Sequence, residues 1–126
     1  MINIILISIG GAVGALSRYT LSNLISKEFQ SNFPLGTLGV NLLGCFLIGI
    51  AWQFSEHFSI AKNVRLFFFV GLLGAFTTFS TFGLESLNLF KEGHLKSAIL
   101  NIFLNNILGI ILVLLGILIY RLIFIK

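Results

Sequence analysis

The stretch GAFTTFSTFG, residues 74–83, decides how the chain is to be folded. Three threonines, a serine and three phenylalanines lie between two glycines, inside an otherwise apolar run. A lipid-facing helix has no use for so many hydroxyls. A soluble core has little use for Phe at every third position beside them. The surrounding run, roughly 63–90, is long enough to cross a hydrocarbon core, which takes about 20 apolar residues. Gly71, Gly74 and Gly83 interrupt it. Irregular backbone at membrane depth survives only where protein or a water-filled cavity covers it. A break near Gly74–Thr78 is therefore expected, with carbonyl oxygens freed at mid-membrane that can bind a hard cation.

Three further segments of the same kind flank it, at roughly 3–26, 34–55 and 97–121. The composition agrees: 57% of the 126 residues are hydrophobic and 10% are charged, against roughly 25% charged in soluble domains. The expectation is an all-α integral membrane protein, one domain over residues 1–126, with four transmembrane helices. The polar breaks at Lys27–Asn32, Glu56–Lys62 and Lys91–Lys96 are short, so sequential helices should be antiparallel neighbours. Pro34 suits the first turn of the second helix. Trp52 and Tyr120 lie near span ends, where amphipathic rings favour the interface. The N-terminus lacks the basic region of a secretory signal, so its apolar segment is expected to persist as a helix.

Four spans put both termini on one side, with Lys62, Arg65, Arg121 and Lys126. The other side carries Lys27, Lys91 and Lys96, with Arg18 in the nearer half of the first span. Orientation follows Lys/Arg bias, and here the bias is one charge or none. Either orientation should insert. The simplest use of that is dual topology, with the chain pairing antiparallel to a second copy of itself. Scattered basic residues form no stripe, which sets nucleic acid aside. Cys45 is the single cysteine; it cannot make an intrachain disulfide, and no Cys/His cluster suggests zinc. No nucleophile–base pair suggests an enzyme.

Ionisable groups inside spans are functional candidates by default. Arg18 either snorkels to the nearer surface or gives a vestibule a positive potential that concentrates anions. Glu85 lies closer to its span's end. On a continuous helix Thr78, Thr81 and Glu85 share one face, with Ser80 beside them, as a polar track. Phe76, Phe79 and Phe82 share a second stripe. Ring edges carry the positive end of the aromatic quadrupole. Hydroxyls and ring edges together can replace an anion's hydration shell without a fixed charge, which would bind too tightly for passage. Asn41 in the second span, and Asn101, Asn105 and Asn106 in the fourth, are further donors, for the pore or for helix–helix bonds. Asn101 and Asn105 fall on one face. Gly10 and Gly14 read as close-packing positions.

Three motifs stand in order: GAVGALSRY at 11–19, PLGTLGVN at 34–41 and GLLGAFTTFSTF at 71–82. Together they resemble the Fluc fluoride channel family, also called CrcB, over the whole chain. The resemblance implies an antiparallel, dual-topology homodimer with two pores in the cell membrane, passing fluoride selectively and passively out of a microbial cell. It implies that Phe79 and Phe82 are the pore rings and Asn41 the pore asparagine. Ser80, Thr81 and Glu85 match the polar track, and Arg18 the vestibule arginine. Gly74 and Thr77 match the break whose backbone carbonyls hold a central Na⁺. The fourth helix departs from the family, with asparagines where hydroxyl or aromatic residues are common, so no pore residue is carried over there. Two rivals fit less well. A small multidrug-type exporter needs a carboxylate in its first span, where this chain has Arg18. A structural membrane subunit leaves the hydroxyl–Phe pairing without purpose.

Overall fold

The computed structural model describes residues 1–125; Lys126, one of the charges counted above, lies outside the described residues. The chain forms four helices long and apolar enough to cross a membrane. Helix α1 (Ile2–Phe29) ends where Gln30 turns into the left-handed region at φ 39° and its amide closes on Ser26. Pro34 stands immediately before α2 (Leu35–His57), one place earlier than a first-turn position, and its carbonyl accepts from Leu38. A turn through Ser59 (φ 48°) leads to the third span, Lys62–Lys91. Gly93, at φ 84°, makes the last turn. Helix α5 (Leu95–Phe124) completes the chain.

The third span is two helices. Its first part, α3, covers residues 62–76 and is π-helical over Leu66–Leu73. Thr77 and Thr78 are extended, at φ −87°, ψ 155° and φ −146°, ψ 118°. The second part, α4, is Phe79–Lys91. The break lies after Gly74, which is itself helical at φ −63°. Phe76 therefore ends one helix while Phe79 begins another, and the expected three-ring stripe is divided. Thr78 caps α4 from outside it rather than sharing its face, and its Oγ1 accepts from the Thr81 amide at 3.3 Å.

The break is where the third span changes partners. Helix α3 packs on α1, and α4 packs on the first half of α5. The other half of α5 packs on α2. Small residues make these approaches, as expected where lipid removes the hydrophobic drive between helices. A Cβ on Gly14 would overlap the Leu72 carbonyl, and one on Gly49 the Val113 carbonyl. Gly10 and Gly71 face one another across the α1–α3 contact. Large apolar side chains cover the outside, among them Ile4, Leu16, Ile110 and Leu118. The interior is unusually polar: Thr37, Asn41, Gln53, Ser55, Thr78, Ser86 and Asn101 are all buried. Tyr120 is buried too, its hydroxyl 3.2 Å from His57 Nδ1, so its ring packs within the chain, whereas Trp52 is exposed.

Candidate functional site

The side chain that makes the break comes from another helix. In an unbroken helix the Thr78 amide would donate to the Gly74 carbonyl. Here it donates to Asn41 Oδ1 at 2.8 Å. Asn41 Nδ2 donates back to the Thr78 carbonyl at 3.1 Å. One amide side chain thus clasps the backbone N–H and C=O of one residue. The Thr81 amide, which would serve the Thr77 carbonyl, goes to Thr78 Oγ1 instead. Gly74 and Thr77 are therefore the two residues whose carbonyls lose their helical donors by these substitutions.

Asn41 uses its remaining N–H on Asn105 Oδ1, at 2.8 Å. Both of its donors are thus engaged inside the protein. Asn105 in turn donates to the backbone and side-chain oxygens of Asn101, at 3.0 and 2.9 Å. The i, i+4 spacing of these asparagines was legible in the sequence; the contact of Asn105 with Asn41 was not, since it spans 64 residues. Thr78 Oγ1 also donates to Thr81 Oγ1 at 3.0 Å and lies 3.4 Å from Ser80 Oγ. Three hydroxyls thus gather at the start of α4.

Two cavities meet at Thr78. The first, about 250 Å³, is lined by Asn41, Thr77, Thr78, Phe79, Phe82, Cys45, Asn105 and Asn106 among others. The second, about 200 Å³, is lined by Arg18, Tyr19, Ser22, Asn23, Thr37, Thr78 and Thr81, with Ala15. Thr78 belongs to both walls. A polar chamber that holds the cation Arg18 and an aromatic chamber thus have one threonine in common, near the midpoint of the span. Phe79 and Phe82 make an edge-to-face pair, centroids 5.0 Å apart and planes at 75°. Phe82 is buried, at 5% exposure, whereas Phe79 is 76% exposed on this protomer.

Glu85 stands apart from that hydroxyl cluster. It accepts from Thr37 Oγ1 at 2.7 Å across to α2. Its other oxygen, Oε2, is buried with no partner among the described residues. The polar residues thus form a cluster about Thr78 and a separate Thr37–Glu85 pair, not one continuous stripe. Thr37, Asn105 and Ser86 join the arrangement through long-range contacts that no local pattern announces. Among the described residues no three His, Cys, Asp or Glu side chains come together as a metal site.

A family model described as "CrcB-like protein, Camphor Resistance (CrcB)" matches residues 5–117. The chain belongs to the CrcB-like family. It is 44% identical over 117 residues to a protein of Parabacteroides distasonis named "Fluoride-specific ion channel FluC", covering 93% of this chain and 91% of that one. A Salinibacter ruber protein of the same name is 43% identical, with 92% and 87% covered. A third, from Dehalococcoides mccartyi, is 47% identical, with 90% and 88% covered. These relatives are named as ion channels, so the CrcB-like chain is a multi-pass membrane protein and not an enzyme. The match takes in every residue of the broken span and of both cavities.

Proposed function

We propose that this chain is a fluoride-selective channel that lets fluoride leave the cell passively, working as an antiparallel dual-topology homodimer. The observation that carries the proposal is the pair of chambers sharing Thr78, one with Arg18 and hydroxyls, the other with two phenylalanine rings. The names of the relatives supply the anion's identity.

The route runs from Arg18, whose charge raises the local concentration of anions. It continues over Thr37, Thr81, Ser80 and Thr78. A hydroxyl can rotate its proton to an anion and replace water without holding it as a fixed charge would; the protons of Thr37 and Thr78, which rest on Glu85 and Thr81, would swing away to do so. Beyond Thr78, the edges of Phe79 and Phe82 present the positive end of their quadrupole. Asn41 serves by holding Thr78 rather than by donating, because both its N–H groups are bonded within the protein. Glu85 lines neither chamber and reaches the passage through Thr37, whose hydroxyl proton it accepts.

A second copy suits this surface. A groove of about 450 Å³ runs along α4 and α5 and includes Phe79, Phe82, Ser86 and Asn106. Lipid is a poor neighbour for the polar members of that groove. Gly74 is exposed on the protomer, beside the freed carbonyls. The donor set there, neutral backbone oxygens, suits Na⁺: Gly74 and Thr77 of two copies would hold it, and the ion would fasten the two broken spans together.

The test is efflux from liposomes loaded with potassium fluoride, followed with a fluoride electrode. Fluoride should leave quickly only when valinomycin lets K⁺ follow, and chloride-loaded vesicles should release nothing. Release that needs a proton gradient and no valinomycin would replace the channel with an antiporter. Silence for both anions would end the proposal.

A further inference from the structure

The buried hydrogen bonds around Asn41 form a circuit whose direction is fixed throughout. It begins at the Thr78 amide, which can only donate, so the atom of Asn41 facing it at 2.8 Å is the acceptor Oδ1. The Asn41 nitrogen must then donate onward, which makes Asn105 Oδ1 the acceptor at 2.8 Å. The Asn105 nitrogen faces Asn101 Oδ1 at 2.9 Å. The Asn101 nitrogen faces Ser86 Oγ at 2.9 Å. Ser86 therefore accepts there and sends its own proton to the Phe82 carbonyl at 2.8 Å. The circuit leaves α4's cap at Thr78, crosses α2 and α5, and returns to α4 at Phe82. No amide in it can flip without leaving two donors or two acceptors face to face.

Asn101 is the middle link. It is fully buried, at 0% exposure, and lines neither chamber. We infer that Asn101 is a positioning residue: its side-chain oxygen orients the Asn105 amide, and through it the amide by which Asn41 holds the break at Thr78. The inference concerns the geometry of the passage and rests on the channel reading only for its consequence on flux. Physically, chains of hydrogen bonds in a low-dielectric interior reinforce one another. Loss of one acceptor is then felt two links away. Without Asn101 Oδ1, the Asn105 side-chain nitrogen keeps a bond only to the Asn101 backbone oxygen. Its amide gains freedom to turn, and Asn41 loses an acceptor that was held in place.

Two substitutions separate this role from simple packing. Asn101→Leu keeps the volume and removes the acceptor. Asn101→Asp keeps the acceptor for Asn105 and, protonated in this buried place, also keeps a donor for Ser86. If Asn101 only fills space, leucine should be the milder change, since it keeps the volume and buries no polar atom of its own, while a buried carboxyl is costly. Positioning reverses the order. The readout is hydrogen exchange of the Thr78 amide, measured by NMR on the ¹⁵N-labelled protein in lipid nanodiscs. Exchange should quicken by about tenfold in Asn101→Leu and stay close to the parent in Asn101→Asp. Fluoride efflux should fall in the same order. Unchanged Thr78 exchange in Asn101→Leu, or faster exchange in Asn101→Asp than in Asn101→Leu, overturns the inference. If Asn101→Leu does not fold, Asn101→Ala removes the same acceptor and is judged by the same exchange. If the parent protein passes no fluoride, the channel proposal fails, yet the order of Thr78 exchange still decides the role of Asn101.

Discussion

Phe79 and Phe82 show how one chemistry is placed in two environments. The rings touch edge to face at 5.0 Å, so one edge is already spent on a neighbouring face and the remaining edges are the ones available to an anion. Phe82 is packed inside the protomer and Phe79 lies on its surface. Replacing either with isoleucine keeps an apolar side chain but removes the ring edge. In the protomer Phe79→Ile should cost within about 0.5 kcal/mol, as surface changes do, whereas Phe82→Ile should cost roughly 1–2 kcal/mol from lost core packing. Flux should nevertheless fall in both, by about tenfold or more, a loss of about 1.4 kcal/mol in the passage. Initial fluoride efflux per chain, with size-exclusion chromatography to show that the assembly is unchanged from the parent, checks this. A pair of variants that both conduct like the parent would remove the rings from the route. A loss confined to Phe82→Ile would point to packing alone.

At the scale of elements, the close approach of α1 to α3 depends on positions where no side chain fits. A Cβ on Gly14 meets the Leu72 carbonyl, while one on Gly11, three residues earlier, meets nothing within 4 Å. Gly14→Ala should therefore destabilise by about 1–3 kcal/mol through overpacking. Gly11→Ala should be neutral or stabilising by up to about 1 kcal/mol, since alanine is the better helix former. Thermal unfolding of the two variants in detergent gives the comparison, and equal midpoints would mean that the helices do not approach so closely. The glycine pattern in the first span made this contact legible in the sequence. The break was legible only approximately. Glycine spacing pointed to Gly74, yet Gly74 stays helical. The extended residues are Thr77 and Thr78, because Asn41, 37 residues away, takes the Thr78 amide from its own helix. A contact of that range leaves no local signature. The same holds for the π-helical turns at Leu66–Leu73, an apolar run, and at Leu104–Leu108, which contains Asn105 and Asn106: neither run of residues specifies a π turn by itself. What composition does specify, four long apolar segments with short polar joints, it specified directly, because hydrocarbon thickness and backbone hydrogen bonding leave few alternatives.

For the whole molecule the deciding quantity is charge, counted by side. Lys62, Arg65 and Arg121, with Lys126, face Lys27, Lys91 and Lys96, with Arg18 inside the membrane at the second chamber. Arg65 is held by Glu56 at 3.0 Å and lies over the Trp52 ring, but orientation follows the number of Lys and Arg rather than net charge, so the pairing does not tip the balance. With no bias, about half of the chains should insert each way. A protease site and tag at the C-terminus, in sealed vesicles of one sidedness, should be cut in about half of the molecules; cutting in all or in none means a single orientation. The stronger form of the test changes the count. Asn32→Lys with His94→Lys should draw the side of residues 30–34 and 92–94 to the cytoplasm. Lys91→Gln with Lys96→Gln should send it the other way. If each chamber pair works only between oppositely oriented copies, either locked chain alone should pass no fluoride, and the two expressed together should recover it. The recovery separates a need for an antiparallel partner from simple damage, because each locked chain carries its substitutions into the mixed dimer unchanged. Full conduction by one locked chain alone would mean that parallel copies, or a single copy, suffice.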